Sequence, residues 1–186
     1  MIVSMHNAPL PDHRIKACAE EGMIDPFVST KQGDFLSYGL SSYGYDVRLG
    51  EEVAEWMHQG LLDPAQDNSG KLARATVRPD DGFVLSPGAF LLAHTVETLD
   101  IPANVVAIVH DKSTYARLGI AVQNTVLEPG WRGQVTLEIT NHAPLPVKLY
   151  PGRGIAQILF YASSPCDKDY GSGGRYQDQT GVVAPR

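Results

Sequence analysis

The most informative stretch of this sequence reads Asp111-Lys-Ser-Thr-Tyr-Ala-Arg-Leu-Gly-Ile120, followed by Leu127-Glu-Pro-Gly-Trp-Arg-Gly-Gln-Val-Thr-Leu-Glu-Ile-Thr-Asn141. The first run is typical of a short helical turn, and the second predicts a β-strand. Because successive side chains of a strand point to opposite faces, Glu138 faces away from its neighbours Leu137 and Ile139. A lone carboxylate in a β-rich run, close to groups that suit an anion, suggests an acid/base site for a phosphorylated substrate.

Short apolar or alternating runs continue on both sides of this stretch, and Pro and Gly separate them. Many short strands with such turn signals predict a mostly β domain of the sandwich or barrel type. The runs that predict strands are Tyr45–Leu49, Phe83–Ser86, Phe90–Val96, Val105–Val109, Ile120–Val126, Gln134–Ile139, Val147–Tyr150 and Ile155–Tyr161.

One helix is expected near the start of the chain, and two irregular segments elsewhere. Residues Asp12 to Glu21 place apolar side chains on one face, with Asp12 as the N-cap and Gly22 as the stop. Residues Gln59 to Asp81 are polar and contain Pro and Gly, which predicts a long loop or excursion. Residues Ser163 to Arg186 are again loop-like and include a glycine cluster.

The bulk properties indicate one globular domain over residues 1–186. The chain is 43% hydrophobic and 19% charged, and it is long enough to bury a core of its own. Its formal net charge of −6 argues against nucleic-acid binding, which favours a basic face. Cys18 and Cys166 form no disulfide framework; we favour free thiols, and a single bridge stays open. The Met-Ile-Val-Ser start leads into no long apolar run, so we expect no signal peptide, no membrane span and a cytoplasmic location.

The helical turn at 111–119 carries groups that suit a polyanion. Asp111 is its expected N-cap and Gly119 its expected end. The hydroxyls of Ser113 and Thr114 join the backbone N–H groups of a helix start, and Lys112 and Arg117 add positive charge. The alternative is a connecting turn whose cations are solvated.

The tail, residues 163–186, joins flexible glycines to Arg175, Tyr176 and Gln179. Such a segment can fold over a ligand and exclude water from a site. Chain ends are more often merely disordered. Because Tyr176 and the apolar residues that follow it would gain little from disorder, we favour a flexible lid.

Three other polar features have plain interpretations. Glu138, taken alone, could be a solvated glutamate of a sheet surface. Asp46 and Arg48 share a strand face, so we expect them to pair structurally rather than to act in catalysis. The six histidines show no metal-ligand spacing, and Pro165-Cys166 lacks the second Cys of the zinc deaminase signature. His110 is a candidate neighbour of the site.

Five ordered motifs resemble those of dCTP deaminases, trimeric all-β enzymes related to dUTPases. The resemblance runs from Ser37 to about Gly181. It implies a dUTPase-like distorted β-barrel or jelly roll, with a short N-terminal helix, a short helix at 112–118, and a homotrimer with shared active sites. The matching runs are Ser-Ser-Tyr-Gly-Tyr-Asp-Val-Arg (41–48), Lys-Ser-Thr-Tyr-Ala-Arg-Leu-Gly (112–119), Glu-Pro-Gly-Trp-Arg-Gly (128–133), Val-Thr-Leu-Glu-Ile-Thr-Asn (135–141) and Arg-Tyr-Gln-Asp-Gln-Thr-Gly (175–181).

The resemblance implies zinc-independent hydrolytic deamination of dCTP to dUTP and ammonia. Glu138 would be the general base that activates water for attack at cytosine C4, with Ser113 and Arg117 supporting catalysis. The ligands would be nucleotides of the dCTP, dUTP and dTTP type, with Mg²⁺ on the triphosphate rather than on protein ligands. The implied substrate-binding residues are Lys112, Thr114, Thr125, Val126, Leu127, Trp131, Tyr170, Arg175, Tyr176 and Gln179.

Some positions depart from the family pattern. Lys112 stands where the family often has Arg. A lysine cannot give phosphate the two parallel hydrogen bonds that an arginine guanidinium gives. Glu128 stands where a dUTPase-like site needs an aspartate. A bifunctional enzyme that yields dUMP and pyrophosphate stays an alternative, as do a deaminase of C5-modified dCTP and a non-catalytic nucleotide binder. Trp131 fits either a place near the sugar or the core.

Overall fold

The computed structural model describes residues 8–185. Within that range it has two short α-helices and thirteen β-strands, so the mostly β prediction is confirmed. The helices are α1 (Asp12–Glu20) and α2 (Ser113–Ala116). The strands are β1 (Ile24–Asp25), β2 (Gly39–Ser41), β3 (Gly44–Arg48), β4 (Glu52–Trp56), β5 (Leu72–Thr76), β6 (Phe83–Leu85), β7 (Phe90–Asp100), β8 (Val105–Asp111), β9 (Ile120–Val122), β10 (Val126–Leu127), β11 (Arg132–Asn141), β12 (Val147–Leu149) and β13 (Gly154–Ala162). The Met-Ile-Val-Ser start and Arg186, the last residue of the expected lid, lie outside the described residues.

Two antiparallel sheets form the body of the described chain. One runs in the order β5-β4-β7-β11-β9, with β1 beside β7, and the other runs β10-β8-β13-β3-β2. The short strands β6 and β12 pair with each other. The two sheets bury one common apolar cluster, to which β11 contributes Leu137 and Ile139 and β13 contributes Ile158 and Phe160. The core therefore lies between the sheets, as in a sandwich.

The long strands β7 and β11 change register once along their length. The shift falls between Gln134 and Thr136, where β7 carries extra residues. The Thr95 hydroxyl bridges the gap, because it accepts from a β11 amide at 2.9 Å and donates to the carbonyl oxygen of Glu97 at 2.7 Å. Beyond this bulge, β11 runs regularly and presents Glu138.

Several strand predictions need correction. The run Ile120–Val126, expected as one strand, is split into β9 and β10, which belong to different sheets. The expected loop Gln59–Asp81 contains β5, which pairs antiparallel with β4. β5 lies at the edge of its sheet and is mostly exposed, and after Leu72 it carries no large apolar side chain that would mark a half-buried strand. The short strands β1 and β2, and also β4, were likewise not predicted.

The helix ends are partly as expected. Pro11 is the N-cap of α1 and Lys112 that of α2, so the predictions of Asp12 and Asp111 are wrong, and neither cap makes a side-chain hydrogen bond. The predicted stops are confirmed, since Gly22 has φ 103° and Gly119 has φ 82°. No helix in residues 8–185 combines the length and apolarity needed to cross a membrane.

Asp46 and Arg48 do not pair with each other, contrary to expectation. Side chains two residues apart on a strand start about 7 Å from each other, and here each finds a closer partner on another element. Arg48 Nε donates to Glu97 Oε1 at 2.8 Å, and Asp46 accepts from Lys112 Nζ. Both carboxylates are buried, so these contacts cross the interior.

Candidate active site

A cleft of about 460 Å³ opens between the six-stranded sheet and the C-terminal tail. Strands β4, β7 and β11 supply its floor, β10 and the preceding loop supply one wall, and the tail covers it. Its lining is Trp56, Phe90, Leu92, Thr125, Val126, Leu127, Trp131, Val135, Thr136, Glu138, Tyr170, Tyr176, Gln179, Val183 and Pro185. The lining is mostly apolar, and Glu138 is the one carboxylate in this set of described residues.

Strand β11 places Glu138 in the cleft by simple alternation. Leu137 and Ile139 are buried in the core on the other face, as the sequence predicted. On the cleft face, the residue paired with Glu138 across the strands is the apolar Leu92 of β7. Burial among such neighbours raises the pKa of Glu138, because the charged form loses hydration. The carboxyl group is therefore a stronger base than an exposed glutamate.

The segment 123–127 forms a rigid wall beside Glu138. Gln123 N donates to the carbonyl oxygen of Glu138 at 2.9 Å, and Val109 N donates to that of Thr125 at the same distance. β10 continues the wall by pairing antiparallel with β8. Backbone and side-chain groups of Thr125 and the two following residues thus face the cleft from a fixed position.

The tail is docked along the start of β11. The indole Nε1 of Trp131 donates to the carbonyl oxygen of Tyr176 at 3.0 Å. Gln134 N donates to the carbonyl oxygen of Gln179 at 2.9 Å. Gly133 allows this close approach, because a Cβ there would lie 2.8 Å from the backbone nitrogen of Gln179. Trp131 is 3% exposed, so it serves the core and the tail contact together.

Side chains of the tail add further contacts that the sequence did not suggest. The side-chain amide of Gln177 accepts from Arg132 N at 3.1 Å and donates to the carbonyl oxygen of Gly130 at 2.9 Å. It therefore makes the same two kinds of hydrogen bond as a backbone peptide group of an adjacent strand. Val182 is buried against Ala54 and Leu92 in a small apolar cluster on the cleft face of the sheet. Whether the tail moves as a lid stays a prediction.

The residues of α2 lie outside the cleft lining. Ser113 and Arg117 are exposed. Lys112 is 6% exposed and its ammonium group is bound to Asp46. The hydroxyl of Thr114 donates to the carbonyl oxygen of Phe35 at 3.3 Å.

Comparison with known proteins identifies the family. Residues 9–163 match the family model described as dCTP deaminase-like. The chain belongs to the dCTP deaminase-like family. A dCTP deaminase of Granulibacter bethesdensis is 45% identical over 183 residues, covering 95% of this chain and 98% of the relative. A dCTP deaminase of Anaplasma phagocytophilum is 45% identical over 182 residues, covering 95% of this chain and 97% of the relative.

A solved structure agrees with this fold. The crystal structure of 2′-deoxycytidine 5′-triphosphate deaminase from Agrobacterium tumefaciens matches with a TM-score of 0.65 at 21% identity, over 84% of this chain. The chain spans 47% of the length of that solved chain. The match concerns the fold alone, and it confirms the fold class that the resemblance implied.

The dCTP deaminase-like chain brings together eight of the thirteen residues that the sequence singled out for catalysis or substrate binding. The cleft gathers Glu138, Thr125, Val126, Leu127, Trp131, Tyr170, Tyr176 and Gln179. It does not include Lys112, Ser113, Thr114, Arg117 or Arg175. His110 is also outside the lining; it lies on β8, paired with Gln157 of β13.

Sequence reasoning missed the apolar side of this cleft. Trp56 comes from β4, Phe90 and Leu92 from β7, and Val183 and Pro185 from the end of the tail. The pairing of Leu92 with Glu138 depends on the strand register, which a sequence alone does not give. The apolar residues of Glu-Val-Ala-Glu-Trp (52–56), Trp56 above all, were an available signal for a strand.

Proposed function

We propose that this chain hydrolyses the amino group of dCTP to give dUTP and ammonia. The observation that carries the proposal is the position of Glu138, a partly buried carboxylate with a raised pKa on an apolar cleft floor. Membership of the dCTP deaminase-like family and relatives that are 45% identical and named dCTP deaminase support the same substrate.

Glu138 acts as the general base. It takes a proton from a water molecule whose oxygen bonds to C4 of cytosine, which gives a tetrahedral centre. The carboxyl group returns this proton to N3. It then takes the proton of the new C4 hydroxyl and passes it to the amino nitrogen, so the C4–N bond breaks and ammonia leaves while C4 becomes a carbonyl. The raised pKa suits this role, because a base with a pKa nearer neutrality accepts the proton of water more readily.

The wall at 123–127 recognises the base. Its fixed backbone groups lie beside Glu138, so they meet the edge of cytosine that carries N3 and the amino group. A pyrimidine with the wrong donors and acceptors on this edge would leave buried polar groups unpaired, which penalises it strongly. The apolar residues of β4 and β7 lie on the other side of Glu138 and suit the C–H edge of the ring.

A second copy of the chain completes the site, in a homotrimer with shared sites. Ser113 begins α2 and Arg117 follows its last residue; both are exposed, and neither lines the cleft of its own chain. When α2 of a neighbour approaches Glu138, Arg117 would hold the base and Ser113 would orient the water. Arg175 and Gln179 of the tail would contact the triphosphate, whose charge is partly neutralised by the Mg²⁺ that accompanies it.

The chemistry uses no zinc in this proposal. In residues 8–185 no group of three or more His, Cys, Asp or Glu side chains has the arrangement of a metal site. In the proposed mechanism, Glu138 and the residues around it activate the water.

Product analysis tests the proposal. Purified protein is incubated with dCTP and magnesium, and ammonia, dUTP, dUMP and pyrophosphate are followed together. Ammonia with accumulating dUTP is the expected result. Ammonia with dUMP and pyrophosphate would give Glu128 a role, although Glu128 is exposed and not part of the cleft lining. Absence of any product, with dCTP and then with 5-methyl-dCTP, would reject a deaminase and leave a nucleotide binder.

A further inference from the structure

The end of the tail, residues 181–185, lies on the cleft face of the six-stranded sheet, and we call it the tail tip. A parallel bridge at Gln179 pairs the tail with the start of β11, so the tail tip runs in the same direction as β11, towards Glu138. Val183 and Pro185 line the cleft together with that carboxylate. The tail tip is therefore one wall of the candidate active site.

Side chains of β11 hold the backbone of the tail tip. Gly181 N donates to Gln134 Oε1 at 2.7 Å, and Val183 N donates to Thr136 Oγ1 at 3.3 Å. Thr136 lies two residues before Glu138, so the two side chains share a face of the strand. These contacts therefore place the tail tip on the face that carries the proposed base.

An ion pair on the hairpin of β4 and β5 adds two more contacts to the tail tip. Arg74 Nη1 donates to Glu52 Oε1 and also, at 2.9 Å, to the carbonyl oxygen of Val182. Glu52 Oε2 accepts from Val182 N at 3.4 Å. Gly181 allows this approach, because a Cβ there would lie 2.5 Å from Glu52 Oε2. The ion pair thus binds both backbone polar groups of one tail residue.

The effect of this ion pair on the cleft is indirect. Neither Arg74 nor Glu52 is among the described residues that line the cleft. Their side chains are 42% and 33% exposed, so the ion pair by itself contributes little to stability. Its hydrogen bonds hold the backbone of Val182 where the side chain of that residue is buried against Ala54 and Leu92. Arg74 and Glu52 therefore act on the cleft through the position of the tail tip.

We infer that Arg74 and Glu52 are positioning residues, which hold the tail tip against the sheet so that Val183 stays in the wall of the cleft. The inference rests on the proposed function, in which the cleft takes the pyrimidine ring. In that site Val183 lies with Trp56 and Leu92 in the apolar part of the lining. A tail tip that is already in place removes the entropic penalty of ordering it when dCTP binds, so the ion pair increases the affinity for dCTP.

Steady-state kinetics of three variants test the inference. Arg74→Met removes the donor and keeps a long side chain, whereas Glu52→Gln keeps an acceptor oxygen and removes the charge. The matched control is Arg78→Met, which removes an exposed ion pair with Asp81 just after β5. We expect KM for dCTP to rise about tenfold in Arg74→Met and about threefold in Glu52→Gln, because a partly exposed charged hydrogen bond contributes about that much. The kcat of both variants and both constants of Arg78→Met should match wild type, since the lost interaction serves binding alone.

Three kinetic results would overturn the inference. The first is a KM in Arg74→Met equal to that of the Arg78→Met control. The second is a KM below the wild-type value, because the tail tip would then obstruct the cleft instead of completing it. The third is a loss of kcat without a rise in KM, which would give Arg74 a role in the chemical step.

Hydrogen exchange separates this inference from the proposed function. In the unliganded protein, we expect amides in residues 181–184 to exchange faster in Arg74→Met than in wild type or Arg78→Met, while those of β7 and β11 keep their protection. Unchanged exchange at the tail tip would overturn the inference. If the wild-type protein has no deaminase activity, the proposed function fails, and hydrogen exchange still decides whether Arg74 and Glu52 hold the tail tip.

Discussion

Two buried glutamates of the same sheet have opposite surroundings. Glu97 of β7 is completely buried, and Arg48 donates to both of its oxygens, at 2.9 Å from the backbone and 2.8 Å from Nε. Glu138 of β11 is partly buried and faces the cleft opposite Leu92. Burial raises the pKa of both carboxyl groups. The raised pKa therefore does not distinguish a structural carboxylate from a catalytic one, whereas the partners do.

The same conservative substitution at the two positions should give opposite results. Glu138→Gln keeps the shape of the side chain and removes the base. We expect kcat to fall by on the order of 10²–10⁴-fold, the usual contribution of a general base, while dCTP still binds. Steady-state kinetics and equilibrium binding measure the two effects. Activity within tenfold of wild type would mean that another group takes the proton.

Glu97→Gln should reduce stability instead of chemistry. It leaves the Arg48 side chain, which is 18% exposed, without its counter-charge. Breaking such a pair costs about 3 kcal/mol, which for a chain of this size lowers Tm by about 6–12 °C. Calorimetry measures the shift, and turnover per folded molecule should match wild type. A stable but inactive Glu97→Gln protein would show that Glu97 acts in the reaction and does not have the structural role assigned to it.

The docked tail should have a smaller effect, expressed in KM. Trp131→Phe removes the indole N–H that binds the carbonyl oxygen of Tyr176 and keeps most of the apolar surface. A buried hydrogen bond contributes about 1 kcal/mol, so we expect KM for dCTP to rise about five- to tenfold. The matched control is Asp178→Asn, which removes the exposed ion pair with Arg132 and suits the positive φ of 56° at that residue. An equal rise in KM for both variants would show that the indole hydrogen bond contributes no more to substrate binding than the exposed ion pair does.

The pH dependence should show the smallest effects. Because Glu138 must be ionised to act as a base, kcat/KM should rise with pH through an inflection above the pKa of an ordinary glutamate. A raised folded-state pKa also means that ionisation costs stability as pH rises past the unfolded value. Glu138→Gln should therefore match wild type in Tm near pH 4 and exceed it near pH 7. A Tm difference that shrinks as pH rises would contradict the burial of this carboxylate.

The sequence allowed the fold class and part of the site to be predicted, for identifiable reasons. The alternation Leu137, Glu138, Ile139 determines which side chain leaves the core, and the structure agrees. The partners of Arg48 and Lys112 could not be predicted, because they depend on which strands become neighbours. Residues 48 and 97, or 46 and 112, are far apart in the chain and meet only through the sheet order.

The direction of the Lys112 side chain is a second feature that the sequence alone could not predict. A lysine beside two hydroxyl residues and an arginine suits an anion in sequence, yet the structure buries its ammonium group against Asp46. Edge strand β5 was missed because, after Leu72, its exposed residues include no large apolar side chain. Both cases involve tertiary contacts that override local pattern.

Mixing two inactive variants tests most directly whether Glu138 of one copy acts with Arg117 of another. Glu138→Gln and Arg117→Ala are unfolded together, refolded as a mixture, and assayed for ammonia release from dCTP. Random assembly should restore about one quarter of wild-type activity, since a shared site is complete when each contributing chain is intact there. A mixture of Ser113→Ala and Arg117→Ala, both altered on α2, should restore none. If the first mixture stays as inactive as its components, Glu138 and Arg117 do not act together across copies.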